Sequence, residues 1–333
     1  MNTKVRNSNI ELLRIIAMTF IVIWHISVHA QKGELNSHNY IVAFCTTGVN
    51  LFILISGYFG IKLTWKNLLT LISTIVLYNI TTIAVKWGIT DTAPDINSIK
   101  SLCAPLRESH WWFINCYFNL MLLSPIINIA LDKATKRQLK YFLGALLFLS
   151  CISGFCFGNS INQNGYNTFH LVTIYVLGSA IRKFNLPEKI SSKKLLLIYF
   201  LCTLSLFLCT FKIMYKSTFY NNPLVIASAV CLFCLIAKTS FNSKAVNYIS
   251  SFMFPVYLVQ DSVIGFMAYD YLYQQGKALN FQGLHYFTIL GVYLLVLIST
   301  AFIADNIRRF LLNRPINAIS RYLKNRTHFL ITE

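Results

Sequence analysis

The chain is 333 residues long, 56% hydrophobic and only 12% charged, with a mean hydropathy of +0.56. Charged residues at about half their ordinary share exclude a single water-soluble core and point to a polytopic α-helical membrane protein. The net charge of +18 does not mark a nucleic-acid binder, because the basic residues sit in short clusters between apolar runs, as orientation signals do.

Apolar runs bounded by charges and turn residues predict an all-α transmembrane bundle of about ten spans. They cover 11–30, 39–58, 67–86, 110–130, 139–157, 169–181, 194–211, 223–238, 248–268 and 285–305. The run 169–181 is short for a bilayer and is expected to be tilted or partly re-entrant. Of the 29 Lys and Arg residues, 22 fall in connections on the N-terminal side and 7 on the other. That imbalance puts both termini in the cytoplasm and favours an even number of spans. The longest external connections are 87–109, 158–168 and 269–284. Their acids, amides and aromatics (Asp91, Asp95, Glu108, Asp270, Tyr271, Tyr273 and Gln274 among them) suit sugar faces, and suit an interfacial aromatic belt equally well. Residues 305–333 read as a basic cytoplasmic tail, with Arg308–Arg326 expected to lie as a helix on the inner leaflet. No repeat or linker divides the chain, so residues 1–333 are expected to form one domain.

Two other readings of composition are set aside. Lys4, Arg6 and the apolar run ending at Val28-His29-Ala30 resemble a cleavable leader, but Arg14, Trp24 and His25 interrupt that run, and it is expected to remain as a span. Eight of the nine cysteines lie in apolar segments and read as small buried hydrophobes; only Cys103 falls in a connection. Cys231-x-x-Cys234 has no second ligand pair, so no metal site is expected.

The span Asn9–His29 carries the chemistry. Arg14 and His25 are eleven positions apart, which leaves about 20° after three helical turns, so both project from one face roughly 16 Å apart along the axis. Glu11 and His29 fall near that face, and Ser8-x-x-Glu11 reads as a capping box. Taken singly, Arg14 is as well explained by an anchor that snorkels to the headgroups, and His25 by a hydrogen-bonded histidine inside the bundle. Together on one face of a span, ionisable groups mark a functional site.

Three further blocks follow. Gly48 to Phe59 contains Phe52 and Ser56-Gly57-Tyr58 at the end of the second span. His110-Trp111-Trp112-Phe113 precedes Ser124-Pro125. Ser251 leads to Tyr257-Leu258-Val259-Gln260-Asp261. With Glu11-x-x-Arg14 and Arg14-x10-His25, the four blocks in this order resemble acyltransferase family 3, the integral-membrane family that O-acylates bacterial surface glycans. Glu11 stands where the family commonly has Asp, and Gln260 where many relatives have His. The resemblance implies a membrane-embedded O-acyltransferase, most simply an acetyltransferase, of the plasma membrane. Its donor would be cytoplasmic acyl-CoA (acetyl-CoA), and its acceptor a hydroxyl of a surface or lipid-linked polysaccharide.

Acyl transfer to a sugar hydroxyl needs a base and a grip on the donor. His25 suits the base, because imidazole titrates near neutrality, or it carries the acyl group itself as a nucleophile. Arg14 suits the donor phosphates through its planar fork, with Glu11 orienting it. Trp112 and Ser56 are expected at the donor as well, and His29 and Asn50 at the acceptor, although aromatic packing and buried polar support account for these types too. Ser56-Gly57 ends a span with no helix opening behind it, so Ser56 is not read as a nucleophile. Two rival readings keep the bundle: a glycan or lipid transporter using His25 as a proton relay, and an assembly role without catalysis, motivated by Gln260.

Overall fold

Backbone polar groups in an apolar bilayer must find partners within their own segment, which leaves helices as the simplest solution for a chain of this composition. The computed structural model describes residues 7–29, 39–90, 100, 111–279 and 284–326, and among them there is no strand. The helices are α1 (Ser8–His29), α2 (Asn39–Cys45), α3 (Gly48–Phe59), α4 (Trp65–Thr90), α5 (Trp112–Lys133), α6 (Lys136–Leu147), α7 (Thr168–Lys183), α8 (Ser192–Ser217), α9 (Pro223–Ala237), α10 (Lys244–Ser250), α11 (Met253–Gln260), α12 (Val263–Leu279) and α13 (Leu284–Arg326). Among the described residues seven helical stretches are long and apolar enough to cross a membrane, or eight if one bent pair counts as a span.

Each expected run contains a helix, but several are built differently. The run 39–58 is two helices interrupted at Thr46-Thr47, where Thr46 Oγ1 donates to the Val42 carbonyl. The run 139–157 passes from α6 into a π-helix over Phe148–Cys156. The run 248–268 is broken by a 72° bend between α11 and α12. A Cβ on Gly265 would lie 1.9 Å from the Gln260 carbonyl oxygen, so only glycine permits that bend. The runs 169–181 and 223–238 become helices of 16 and 15 residues. The boundary expected at 305 is absent, because α13 continues for 43 residues through Pro315. Buried Asp305 accepts from Arg308 Nε and Arg309 Nε, a pairing at i+3 and i+4 that carries the helix across the change from apolar to basic sequence. The connection 87–109, the donor-block His110 and the tail beyond 326 lie outside the described residues, apart from the helical end at 87–90 and Lys100.

The chain falls into two compact units. The first holds α1 up to Val28, α2, α3 and the chain from Ile126 to Met253. Its axis is α3, apolar on all sides and packed against α7 and α9. Glycines set those distances. A Cβ on Gly57 would fall 2.0 Å from the Tyr175 carbonyl oxygen of α7, and one on Gly48 would fall 2.7 Å from the Ala17 carbonyl oxygen of α1. The end of α3 is clasped by Tyr175, whose hydroxyl donates to Asn128 Oδ1 (2.6 Å) and accepts from the Ile61 amide (2.8 Å). The second unit holds α4, the N-terminal part of α5 and the chain from Phe254 onward. There α12 and α13 pack on α4, and the Tyr78 hydroxyl donates to the Ala301 carbonyl.

Candidate active site

The start of α1 is fastened to the segment that leads into and forms α10. Ser8 Oγ donates to Asn247 Oδ1 (2.9 Å) and accepts from the Ser243 amide (2.9 Å). Asn9 Nδ2 donates to the Thr239 and Ile236 carbonyls. The expected capping box is therefore not formed. The amides of Ile10 and Glu11 go to the Asn7 carbonyl, and the Ser8 side chain is taken by α10. Glu11 is buried, and both carboxylate oxygens are engaged: Oε1 accepts from Arg14 Nη1 and Oε2 from Ser250 Oγ, each at 2.5 Å. The expected Glu11–Arg14 pair is thus present, with a third member that lies one residue before the fourth sequence block. The neighbouring Ser251 stays on its own helix, its Oγ donating to Tyr248. The Arg14 side chain is one-third exposed. Glu11 takes one of its five N–H donors, and no other described side chain takes the rest.

Eleven residues further along, His25 is buried in a tight crevice lined by Ile21, Trp24, Cys45, Thr46, Val49 and Tyr220. Gly48 brings this about: by admitting the Ala17 carbonyl it lets α3 lie against α1 one to two turns below His25. The imidazole Nδ1 is 2.8 Å from the Ile21 carbonyl oxygen. A carbonyl only accepts, so Nδ1 carries the hydrogen, and in the neutral ring the lone pair belongs to Nε2. The Trp24 ring lies edge-on to it at 5.2 Å. In this conformation the crevice is closed, without room for a water molecule, so a substrate reaches His25 only if the crevice walls part.

Behind the crevice runs a buried polar chain. Asn50 Nδ2 donates to the Tyr220 carbonyl (2.9 Å), and Asn50 Oδ1 accepts from His170 Nε2 (2.9 Å). His170, wholly buried, accepts at Nδ1 from Ser150 Oγ (3.5 Å), and Asn221 Nδ2 donates to the Ser150 carbonyl. Asn50 and His25 are brought together through Tyr220, which lines the crevice and is held by Asn50. His170 is absent from the sequence-level candidates: it lies inside an apolar run as His25 does, but no arginine stands eleven residues before it.

The remaining candidates stand elsewhere. Ser56 Oγ donates to the Phe52 carbonyl one turn back, and Gly57 beside it is the packing residue of the block. His29 stacks on Tyr269 (5.6 Å between centroids) and meets Phe266 edge-on within the second unit. Trp112 is the first residue of α5 and lies edge-on to Phe113, which in turn meets Tyr257 of α11 at 5.4 Å. The Tyr257 hydroxyl donates to Asp261 Oδ2 (2.7 Å). The third and fourth sequence blocks therefore meet within one unit. Gln260 is fully buried at the α11–α12 bend.

Comparison with known families, together with the apolar helices, gives the class: a membrane acyltransferase. The chain matches the family model described as an acyltransferase domain over residues 7–322. It belongs to that family, the acyltransferase family 3 that its four blocks resemble. No curated protein and no solved structure matched the chain.

Proposed function

We propose that the protein is an O-acetyltransferase of the plasma membrane that moves an acetyl group from cytoplasmic acetyl-CoA to a hydroxyl of a surface or lipid-linked polysaccharide. The observation that carries this reading is the His25 imidazole, held by Nδ1–H on the Ile21 carbonyl so that Nε2 is the proton-accepting nitrogen. Nε2 takes the proton of the acceptor hydroxyl as its oxygen attacks the thioester carbonyl. The C–S bond then breaks, and the proton passes to the departing thiolate, leaving coenzyme A as free thiol. Arg14, aligned by Glu11, holds the donor phosphates, with Trp112 and Ser56 assigned to the same substrate. Asn50, through its hold on Tyr220, and His29, with the rings it stacks on, are assigned to the acceptor.

The same reading counts α7 and α9 as spans, which gives ten with both termini in the cytoplasm. Helices of 16 and 15 residues are about 24 and 22 Å long, short of a ~30 Å hydrocarbon core. They serve as spans by sitting among longer helices where the bilayer is locally thinned; the burial of ten of the sixteen residues of α7 supports that position.

The test is acetyl transfer by His25→Ala and His25→Gln in reconstituted membranes. Both variants are expected to insert normally and to be inactive at any donor concentration, because each lacks the titrating nitrogen. Most of the activity surviving in His25→Gln would show the residue to be structural and remove the base from the scheme.

A further inference from the structure

Away from α1, a groove of about 670 Å³ runs along α6 in the first unit. Lys136, Arg137 and Lys140 form one end, the mouth; Tyr141, Gly144 and Phe148 continue it along the helix, and Phe184 lines it from the end of α7. The lining residues of α6 repeat at four-residue spacing (136, 140, 144, 148 and 137, 141, 145), so they form one face of the helix. The opposite face packs inward through Leu139 and Leu146. A Cβ on Gly144 would meet nothing within 4 Å, so this glycine gives the groove its depth.

Charge at the mouth is unbalanced. None of the three cations forms an ion pair with a described residue; Arg137 only lies over the Tyr141 ring, 5.7 Å from its centroid. All three occupy the first turns of α6, where the helix dipole already presents positive charge, and at spacings of three and four residues they repel one another. The helix amides do not supply the remedy, since Thr135 and Gln138 close a capping box there. The corner below is fixed by Lys183, whose Nζ donates to the carbonyls of Leu131 and Ala134 and is thereby committed.

Both halves of the groove belong at a bilayer. Lys136–Cys156 is long and apolar enough to cross, with only 28% of its apolar window buried, and Tyr141 and Phe148 are 67% and 57% exposed. A cationic mouth at one end of a lipid-facing apolar trough complements one kind of molecule, an anion with a hydrocarbon tail. We propose that this groove binds one anionic phospholipid. Its phosphate would lie among Lys136, Arg137 and Lys140, and one acyl chain along Tyr141, Gly144 and Phe148. The inference does not rest on the acyltransfer scheme or on which face of the membrane holds the mouth.

The test uses the full chain in detergent with phosphatidylglycerol or phosphatidylcholine added, read by native mass spectrometry for bound lipid and by the thermal midpoint. One phosphatidylglycerol is expected to bind saturably and to stabilise the protein, with phosphatidylcholine much weaker. Replacing Lys136, Arg137 and Lys140 together by alanine should weaken phosphatidylglycerol on the order of 100-fold, at about fivefold per cation. Gly144→Leu should weaken both lipids by filling the trough. A photoreactive phosphatidylglycerol should label Tyr141–Phe148 in the unaltered protein, which keeps the test independent of how the variants fold. Equal binding of the two lipids, or labelling elsewhere, overturns the proposal. So does displacement by millimolar inorganic phosphate, which would make the site a free-phosphate site, or by coenzyme A, which would make it part of the donor site.

Discussion

Replacing Asn50 with leucine tests the buried chain behind the crevice. Leucine has the same number of side-chain heavy atoms as asparagine and the same branch point, so the change removes the polar atoms while keeping the branched outline. Asn50 is 1% exposed and His170 0%, so water cannot substitute for what is lost. The His170 Nε2–H would lose its acceptor, and the Tyr220 carbonyl would lose the Asn50 donor. Each of these two buried groups costs about 1–3 kcal/mol when its Asn50 partner is removed, so Asn50→Leu should destabilise by about 2–6 kcal/mol, a large share of the ~5–15 kcal/mol that holds a typical domain.

The double variant sharpens the test. With His170→Phe added, the orphaned donor disappears, and two apolar groups in contact are nearly neutral with respect to each other. Asn50→Leu/His170→Phe should therefore be less destabilised than the sum of the two single changes, with a coupling of about 0.5–3 kcal/mol. The assay is equilibrium unfolding in mixed micelles of increasing SDS content, followed by tryptophan fluorescence. Additive single effects, each below about 0.5 kcal/mol, would refute the reasoning. They would mean that the His170–Asn50 bond does not support the fold.

Gly57→Ala should also destabilise, by about 1–3 kcal/mol or more, because its Cβ would meet a backbone oxygen of α7 at 2.0 Å; an unchanged unfolding midpoint would contradict the close approach of the two helices. Arg14→Lys should raise the apparent KM for acetyl-CoA with a smaller loss at saturating donor, and Arg14→Ala should raise KM by roughly tenfold or more. A KM unaltered in Arg14→Ala would leave Arg14 as a membrane anchor. On a cysteine-free background, a cysteine at position 95 should react from outside intact cells and cysteines at 136 and 190 only after permeabilisation; external labelling at 136 would reverse the orientation.

The periodic parts of this molecule were legible in the sequence. The Arg14–His25 face follows from helix geometry alone, and α1 spans the residues expected of it. What the sequence hid were features set by tertiary partners. Ser8-x-x-Glu11 has the pattern of a capping box, but α10 supplies competing partners for both side chains, and the local motif loses. The run 248–268 reads as one apolar span, yet the Gly265 approach to the Gln260 carbonyl bends it by 72°. Composition places a boundary at 305, where apolar sequence gives way to basic. Composition says nothing of Asp305, whose side chain compensates two arginines within one helical turn. His170 was overlooked because no neighbour in sequence marks it; its partners are 20 and 120 residues away.

The fastening of α1 bears on which donor the site can use. Glu11 spends one oxygen on Arg14 and the other on Ser250, so the guanidinium is referred to α10 as well as to its own helix. A straight helix then fixes the separation of Arg14 from His25 at roughly 16 Å along the axis. Under the proposed assignment, a donor gripped by its phosphates at Arg14 must carry its reactive carbonyl across that gap. An acyl phosphate, whose carbonyl is bonded directly to the phosphate oxygen, cannot place both groups at once. A thioester at the end of a long flexible arm can, and coenzyme A has its phosphates and its thioester at opposite ends of such an arm. The crevice at His25, closed in this conformation, then needs to open only far enough for the thioester end. Acetyl phosphate offered in place of acetyl-CoA should accordingly give no transfer, even at concentrations that saturate Arg14. Transfer from acetyl phosphate at a comparable rate would mean that Arg14 and His25 do not act on one donor molecule.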